Sequence, residues 1–393
     1  MSHDVRRGVA AGASVWSPSA VPAGTGRRVR TVGVEEELLL VDAVTLHPVP
    51  VAEEIIERAR GVLPAVGAEL QREVKREQIE VVSPPLLSLD ELRVAIAAGR
   101  RAAEDAAAMA GAHVVALATA PLACATHRVS TPRYDRMQAA FGLTMDEQLT
   151  CGFHVHVGVD SPDEGVAVLD RIRPWLPVLL ALSANSPFWQ GVDTQFASYR
   201  YQAWGRWPTA GPYDRFGSLQ AYRASVSQLL AADVSFDTGM VYFDARLSDH
   251  VPTVEIRIAD VCLLADHAAA IAALIRALVE TAATEWRTAA AADDVPTALL
   301  RLASWRASRF AVSDSLVHPV TRRLCPAPEA VAALLEHVSS GFPSDAERAD
   351  VTRTVADIVS DGGGAVRQRH AMSVRSLRED VIADAVLRTH TLD

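Results

Sequence analysis

The sequence predicts an α+β fold in which an antiparallel sheet is packed with helices, and three features carry that expectation. Stretches alternating apolar and polar residues fall in the early and central parts of the chain. Helical patterns fill the end of it, and the links between neighbouring strand candidates are short enough to favour antiparallel pairing.

Order is expected from Thr31, where TVGVEEELLLV has the period-2 pattern and β-branched content of a strand. Residues 73–82 read as a second strand, closed by Ser83, Pro84 and Pro85, because consecutive prolines cannot continue a ladder. Ser88 or Asp90 then opens an alanine-rich helix to about residue 110, and 113–120 follow as a short buried strand. Residues 150–160 alternate cleanly. Ser161-Pro162-Asp163-Glu164 is a capping box with proline at the first helical position, and Pro174 and Pro177 should kink or divide the helix it starts. Residues 185–212 are irregular and rich in aromatics, glycine and proline, too long for a plain connection and too aromatic for disorder. Two more strands are expected at 240–247 and 253–261, followed by a helix from 266 to about 291 and shorter helices to the end. The first 30 residues hold Arg6, Arg7, Arg27, Arg28 and Arg30 among small residues and proline, without the apolar core of a secretion signal, and read as a disordered, untargeted tail.

With 393 residues, 49% of them hydrophobic, the chain has the material for a large core, as one domain or two intimately packed ones. A formal charge of −10 argues against a nucleic-acid surface, which needs a concentrated field of Lys and Arg. No apolar run reaches the length of a membrane span; the region 175–184 is the nearest approach and is too short. Cys124, Cys151, Cys262 and Cys325 lie far apart with no C-x-x-C, which fits a reducing cytoplasm. Lys75 is the only lysine. No Walker-type G-x-x-x-x-G-K-[ST] is present, so bound phosphates would have to be held by metal ions and arginines.

Side chains two apart on a strand share a face, so Glu35 and Glu37 point together while Glu36 points the other way with Val34 and Leu38. Two anions side by side fit either a solvated strand face or a pair held by a cation. On the second strand Arg76, Gln78 and Glu80 share a face, and Glu80 is either an exposed edge residue or a third carboxylate ligand. His154 and His156 share a face of the third, between Gly152 and Gly158, whose missing side chains leave room for a ligand. Both histidines suit a metal or phosphate site, or a structural place at the core edge. Glu255 and Arg257 pair on the fourth, as a plain ion pair or as a metal ligand beside an anion donor. Ser198, Arg200, Trp204, Arg206 and Trp207 of the irregular stretch offer planar surfaces and fixed cations to a small polar ligand, or simply cover the sheet edge. Glutamate-rich ligation with few cysteines favours Mg²⁺ or Mn²⁺ over structural zinc. The absence of H-E-x-x-H, G-x-S-x-G and a strand-helix G-x-G-x-x-G weakens zinc peptidase, serine hydrolase and dinucleotide readings.

The order G-V-E-x-E from Gly33, E-x-x-x-x-Q-I-E-V from Glu73, G-F-H-V-H-V-G from Gly152, N-S-P-F-W-Q-G from Asn185, S-Y-R from Ser198, R-W-P-T-A-G-P from Arg206 and P-T-V-E-I-R from Pro252 resembles the YbdK-type carboxylate-amine ligases of the glutamate-cysteine ligase group. R-L-A-S-W-R-A-S-R-F at 301–310 and G-G-G-A-V-R-Q-R at 362–369 are similar too, so the resemblance covers nearly all of 31–393 as one catalytic domain. It implies a glutamine-synthetase-like catalytic fold whose antiparallel sheet forms a funnel for two or three Mg²⁺ ions, ATP and an acid. It further implies that Glu35, Glu37, Glu80, His154 and Glu255 are metal ligands, that His156, Arg200 and Arg257 contact the nucleotide, and that Arg200 and Arg257 are catalytic. Glu73 matches a family acid, yet its strand parity opposes that of Glu80, so it joins the set only if a bulge or turn intervenes. Glutamate is the implied acid, cysteine the nominal amine, and a homo-oligomer the implied assembly. Two other classes share part of the pattern: a metal-dependent amidohydrolase, which needs no nucleotide, and a nucleotide- or amino-acid-binding regulator, which releases no ADP.

Overall fold

The computed structural model describes residues 29–59 and 67–391, so residues 1–28 of the expected tail lie outside the described residues. Its last residue departs from the expectation. Arg30 is buried, its guanidinium donating to Glu164 at 2.7 Å, to Glu280 at 2.6 Å and to the Gly158 carbonyl at 2.8 Å.

Seven strands form the central sheet: β1 (Val32–Asp42), β2 (Glu69–Arg72), β3 (Gln78–Val82), β4 (Ala112–Val115), β5 (Gly152–Gly158), β6 (Ala245–Leu247) and β7 (Thr253–Asp260). Their order is β2-β3-β1-β5-β7-β6, with β4 on the second half of β1, and every pairing is antiparallel. One face is apolar, with Val32, Val34, Phe153, Val155, Val157, Val254, Ile256 and Ile258 all in one buried cluster. The helices packed around this core include α1 (Leu89–Ala108), α2 (Pro162–Ile172), α3 (Leu176–Ser183) and α4 (Ala265–Arg287). Ser88 caps α1 in a complete capping box. Ser161 caps α2, but the Glu164 carboxylate accepts from the Asp160 N–H and from Arg30 instead of closing the box. A short 3₁₀ turn at Arg173–Trp175 divides α2 from α3 where the prolines predicted a break. Among the described residues only α4 is long and apolar enough to cross a membrane, and 89% of its apolar window is buried inside the protein.

Glu36, which shares the core-side face with Val34 and Leu38, is balanced there by Arg100 of α1. Arg100 Nη2 and Nε meet the two carboxylate oxygens at 2.6 and 3.0 Å, and the same guanidinium donates to the carbonyls of Cys262, Leu263 and Thr389.

Three strand expectations need correction. The strand expected at 73–82 begins only at Gln78, because residues 73–77 form the turn of the β2–β3 hairpin. That turn is pulled aside by the loop before residue 130. Lys75 is buried, its Nζ donating to Thr126 Oγ1 at 2.8 Å and the Asp146 carbonyl at 3.0 Å, and the Glu77 carboxylate accepts the His127 N–H. Arg76 therefore does not share a face with Gln78 and Glu80; it pairs with Glu53 at 2.8 Å. The strand expected at 113–120 ends at Val115, since the backbone beyond it bonds to Thr389 and Asn185 rather than to β1. The strand expected at 240–247 is only Ala245–Leu247, preceded by a 3₁₀ turn at Thr238–Met240.

Candidate active site

The face of the sheet opposite the apolar cluster gathers the predicted site residues by register. Glu37 lies opposite Glu80, Glu35 opposite His154, His156 opposite Glu255, and Glu255 opposite Arg246. The period of 2 seen in each segment thus becomes one continuous polar stripe across five strands. His154 Nδ1 stands 3.2 Å from Glu35 and 4.0 Å from Glu80, and its Nε2 stands 3.9 Å from Glu37. His156 Nδ1 meets Thr253 Oγ1 at 2.9 Å, while its Nε2 lies 3.1 Å from Glu35 Oε1 without the alignment of a hydrogen bond. Glu37 accepts the Gly152 N–H at 2.6 Å.

The turn at 73–77 returns Glu73 to this set. Free of strand parity, its carboxylate joins Glu37 and Glu80 in a group whose ligand atoms lie within 4.8 Å of one another. Two further groups of the same kind are Glu35 with Glu80 and His154, and Glu35 with His156 and Glu255.

Burial and the neighbouring Glu37 push the Glu73 carboxyl up to about 8, and burial with Glu73, Glu35 and Glu37 pushes Glu80 well up too. Burial would raise Glu35 as well, but the imidazoles of His154 and His156 hold it well below the usual carboxylate range. Burial and Arg257 lower the His154 pKa; Glu35 and Glu255 outweigh burial at His156 and raise it. Too many carboxylates therefore share one dry face for the protein's own cations to balance. A divalent cation ligated mainly by oxygen fits this donor set. Glu255 fits it least directly, because Arg246 Nε holds one of its oxygens at 2.7 Å and Arg257 Nη1 holds the other.

The two predicted arginines border the acids. The β5–β7 register shifts between Phe153 and Val155, so β7 carries one extra residue opposite His154. Beside this bulge the carbonyls of Arg257 and Ile258 each accept a long 3.4 Å bond from Arg200. Arg200 is buried and Arg257 half-buried, each with a buried, unpartnered Nε, and the Trp204 ring lies 5.9 Å from the first guanidinium and 6.0 Å from the second. Gly152 lets Arg200 in: a Cβ there would run into Arg200 Nη2. Ser198 caps the helix Tyr199–Trp204 that carries Arg200. Arg206 and Trp207 are elsewhere, the first paired with Glu147 and the second buried with Nε1 donating to Gln148 at 2.9 Å. Arg246 lay inside the strand expected at 240–247 but was not singled out, because its partner Glu255 is set only by the register of the three residues that do pair.

The family model for glutamate-cysteine ligase family 2 matches residues 31–387. A protein of Paenarthrobacter aurescens named "Putative glutamate--cysteine ligase 2-1" is 51% identical over 366 residues, covering 92% of this chain and 95% of that one. A Streptomyces avermitilis protein of the same name is 47% identical over 362 residues, covering 92% and 99%. The fold is shared with a glutamate–cysteine ligase of Francisella tularensis solved with AMP, at a TM-score of 0.65 and 14% identity over 94% of this chain and 90% of that one. It is shared also with part of a bifunctional glutathione synthetase of Pasteurella multocida, at a TM-score of 0.62 and 14% identity over 92% of this chain and 51% of that one. A match along nearly the whole chain, joined to relatives this similar from end to end, gives the conclusion that the chain belongs to glutamate-cysteine ligase family 2 and is an ATP-dependent carboxylate-amine ligase.

Proposed function

We propose that the acid substrate is glutamate, that cysteine is the first amine to test, and that two or three Mg²⁺ or Mn²⁺ ions are held by Glu35, Glu37, Glu73, Glu80, His154 and Glu255. The observation that carries this reading is the sharing of donors: Glu35 and Glu80 each belong to two of the three groups, so the groups form one connected set that would hold more than one ion. When bound, the ions neutralise phosphate oxygens and the entering carboxylate, which five glutamates would otherwise repel.

Arg200 and Arg257 supply fixed donors to the phosphoryl group in transfer or to the substrate carboxylate, and His156 Nε2 to the nucleotide. The Trp204 ring beside both guanidiniums keeps water from competing for them. The γ-phosphoryl group passes from ATP to a carboxylate oxygen, and ADP leaves. The amine nitrogen then attacks the acyl carbon, the bond from that carbon to the phosphate oxygen breaks, and the nitrogen gives up a proton as phosphate departs. Residues 31–393 act as one catalytic unit, in a cytoplasm where the free thiols of Cys124, Cys151, Cys262 and Cys325 persist.

The test is ADP release from purified protein with Mg²⁺, ATP and glutamate across a panel of amines including cysteine, with products identified by mass. ADP that forms only when acid and amine are both present, with their amide as product, supports the reading and names the amine. Amide cleavage without nucleotide would favour a hydrolase instead, and nucleotide binding with no turnover on any pair would favour a regulator.

A further inference from the structure

Two segments that resemble the family contribute no group to the acid-lined face: residues 301–310 and 362–369. Both converge on the loop that carries Arg200. The Ser308 carbonyl accepts the N–H groups of Ala197 and Ser198 at 2.9 and 2.8 Å, and the Ser308 hydroxyl accepts from Gln202 at 2.7 Å. Gln368 donates to both oxygens of Asn185, at 2.8 Å to its carbonyl and 2.7 Å to its side chain. Gly364 lies so near that a Cβ there would collide with Asn185 Oδ1.

Where these braces meet stands one carboxylate on the sheet. Asp260 ends β7, its backbone in register with Gly152, and it is fully buried. Its Oδ2 accepts the Asn185 N–H at 2.9 Å and the Ser186 hydroxyl at 2.7 Å; its Oδ1 accepts the Ser198 hydroxyl at 2.8 Å. The Ser186 hydroxyl in turn accepts the Arg200 N–H at 3.0 Å. All three donors thus come from the two ends of the same loop. The guanidinium itself stays 3.8 Å from Asp260 Oδ1, outside hydrogen-bond distance, with Nε unpartnered. A carboxylate placed to neutralise Arg200 would take it bidentately and use up its donors. This one is loaded with neutral donors and leaves Arg200 with a free Nε and only two long carbonyl bonds, open to an incoming anion.

We propose that Asp260 is the positioning residue for Arg200: by gathering Asn185, Ser186 and Ser198 onto the sheet it fixes the loop that aims the guanidinium at the acid-lined face. The proposal rests on Arg200 contacting the reacting anion. Motifs far apart in the chain then share one task, holding a single cation in place across the β5–β7 bulge.

The experiment is a double-mutant cycle on the full chain, with Arg200→Lys, Asp260→Asn and the pair. It is read by ADP release and, independently of turnover, by the thermal stabilisation that ATP, Mg²⁺ and glutamate confer. Arg200→Lys should lower kcat about 100- to 1,000-fold, and Asp260→Asn about 10- to 100-fold. The pair should be within about 3-fold of Arg200→Lys alone, since the second change acts through a group already lost. Ser186→Ala leaves the carboxylate in place and should show a smaller loss that likewise vanishes in the Arg200→Lys background; it carries the test if Asp260→Asn fails to fold. Penalties that multiply in full would overturn the positioning role while leaving Arg200 catalytic. Wild-type behaviour of Arg200→Lys in both readouts would remove Arg200 from the chemistry and the proposal with it.

Discussion

Glu73 and Glu80 are carboxyl groups pressed together in a site where burial and their neighbours resist ionisation. Replacing Glu80 with Gln keeps the shape and removes a group that can ionise only against that resistance. ADP formation should fall more than about 100-fold, while the melting temperature without metal stays at or above that of the parent. Added Mg²⁺ should then raise that temperature less than in the parent, because fewer ligands favour the folded form. A variant that keeps its activity would remove Glu80 from the mechanism. Asp244 poses a related problem away from the metal groups. Burial lifts its pKa to about 7, against the pull of the Tyr201 hydroxyl, which donates to it at 3.1 Å. A pKa raised on folding gives stability that is fully present below the unfolded value of 3.8 and is lost as pH rises through about 7. Asp244→Asn should therefore flatten that part of the stability profile and melt higher than the parent at pH 8. Urea titrations between pH 4 and 8 measure the difference, on the order of 1.4 kcal/mol for each unit between the two pKa values.

At the level of strands, Gly152 decides how near a loop residue can come to β5. Gly152→Ala should cost about 1–3 kcal/mol from overpacking, with a drop in kcat larger than that loss of stability explains, because the Cβ meets Arg200 Nη2 and crowds His154. Circular dichroism melts set beside ADP release separate the two effects. Strand periodicity made most of the stripe legible in the sequence: Glu35, Glu37, Glu80, His154, His156, Glu255 and Arg257 share one face because side chains alternate. Glu73 lay beyond that logic, since its position depends on a turn held by Lys75, Glu77 and distant loop residues. The β7 bulge was equally hidden, because an extra residue on one strand shows only against its partner's register. Asp260 stood in the strand pattern without a signal of its own, its meaning set by hydroxyls more than 60 residues away in the chain.

Across the whole molecule, the buried pair of Arg100 and Glu36 ties the back of β1 to α1, to the segment after β7 and to the end of the helix Arg378–His390. Removing one partner leaves a bare charge in the core, so Arg100→Ala should cost about 3–5 kcal/mol in urea denaturation. Replacing both residues with apolar ones of similar volume should cost far less. A larger loss from the double change than from the single would show that the carbonyl contacts of Arg100, rather than its charge partner, hold these elements together.

The sole lysine of the chain is walled in by Thr126 and Asp146. Reagents that acylate primary amines therefore meet no exposed side-chain amine among the described residues, and coupling to an amine-reactive support would have no lysine to hold. The same seclusion makes Lys75 a built-in chemical clock. Its acylation under a pulse of reagent would report the fraction of molecules whose β2–β3 turn has parted from the loop beneath it, at most one label for each molecule.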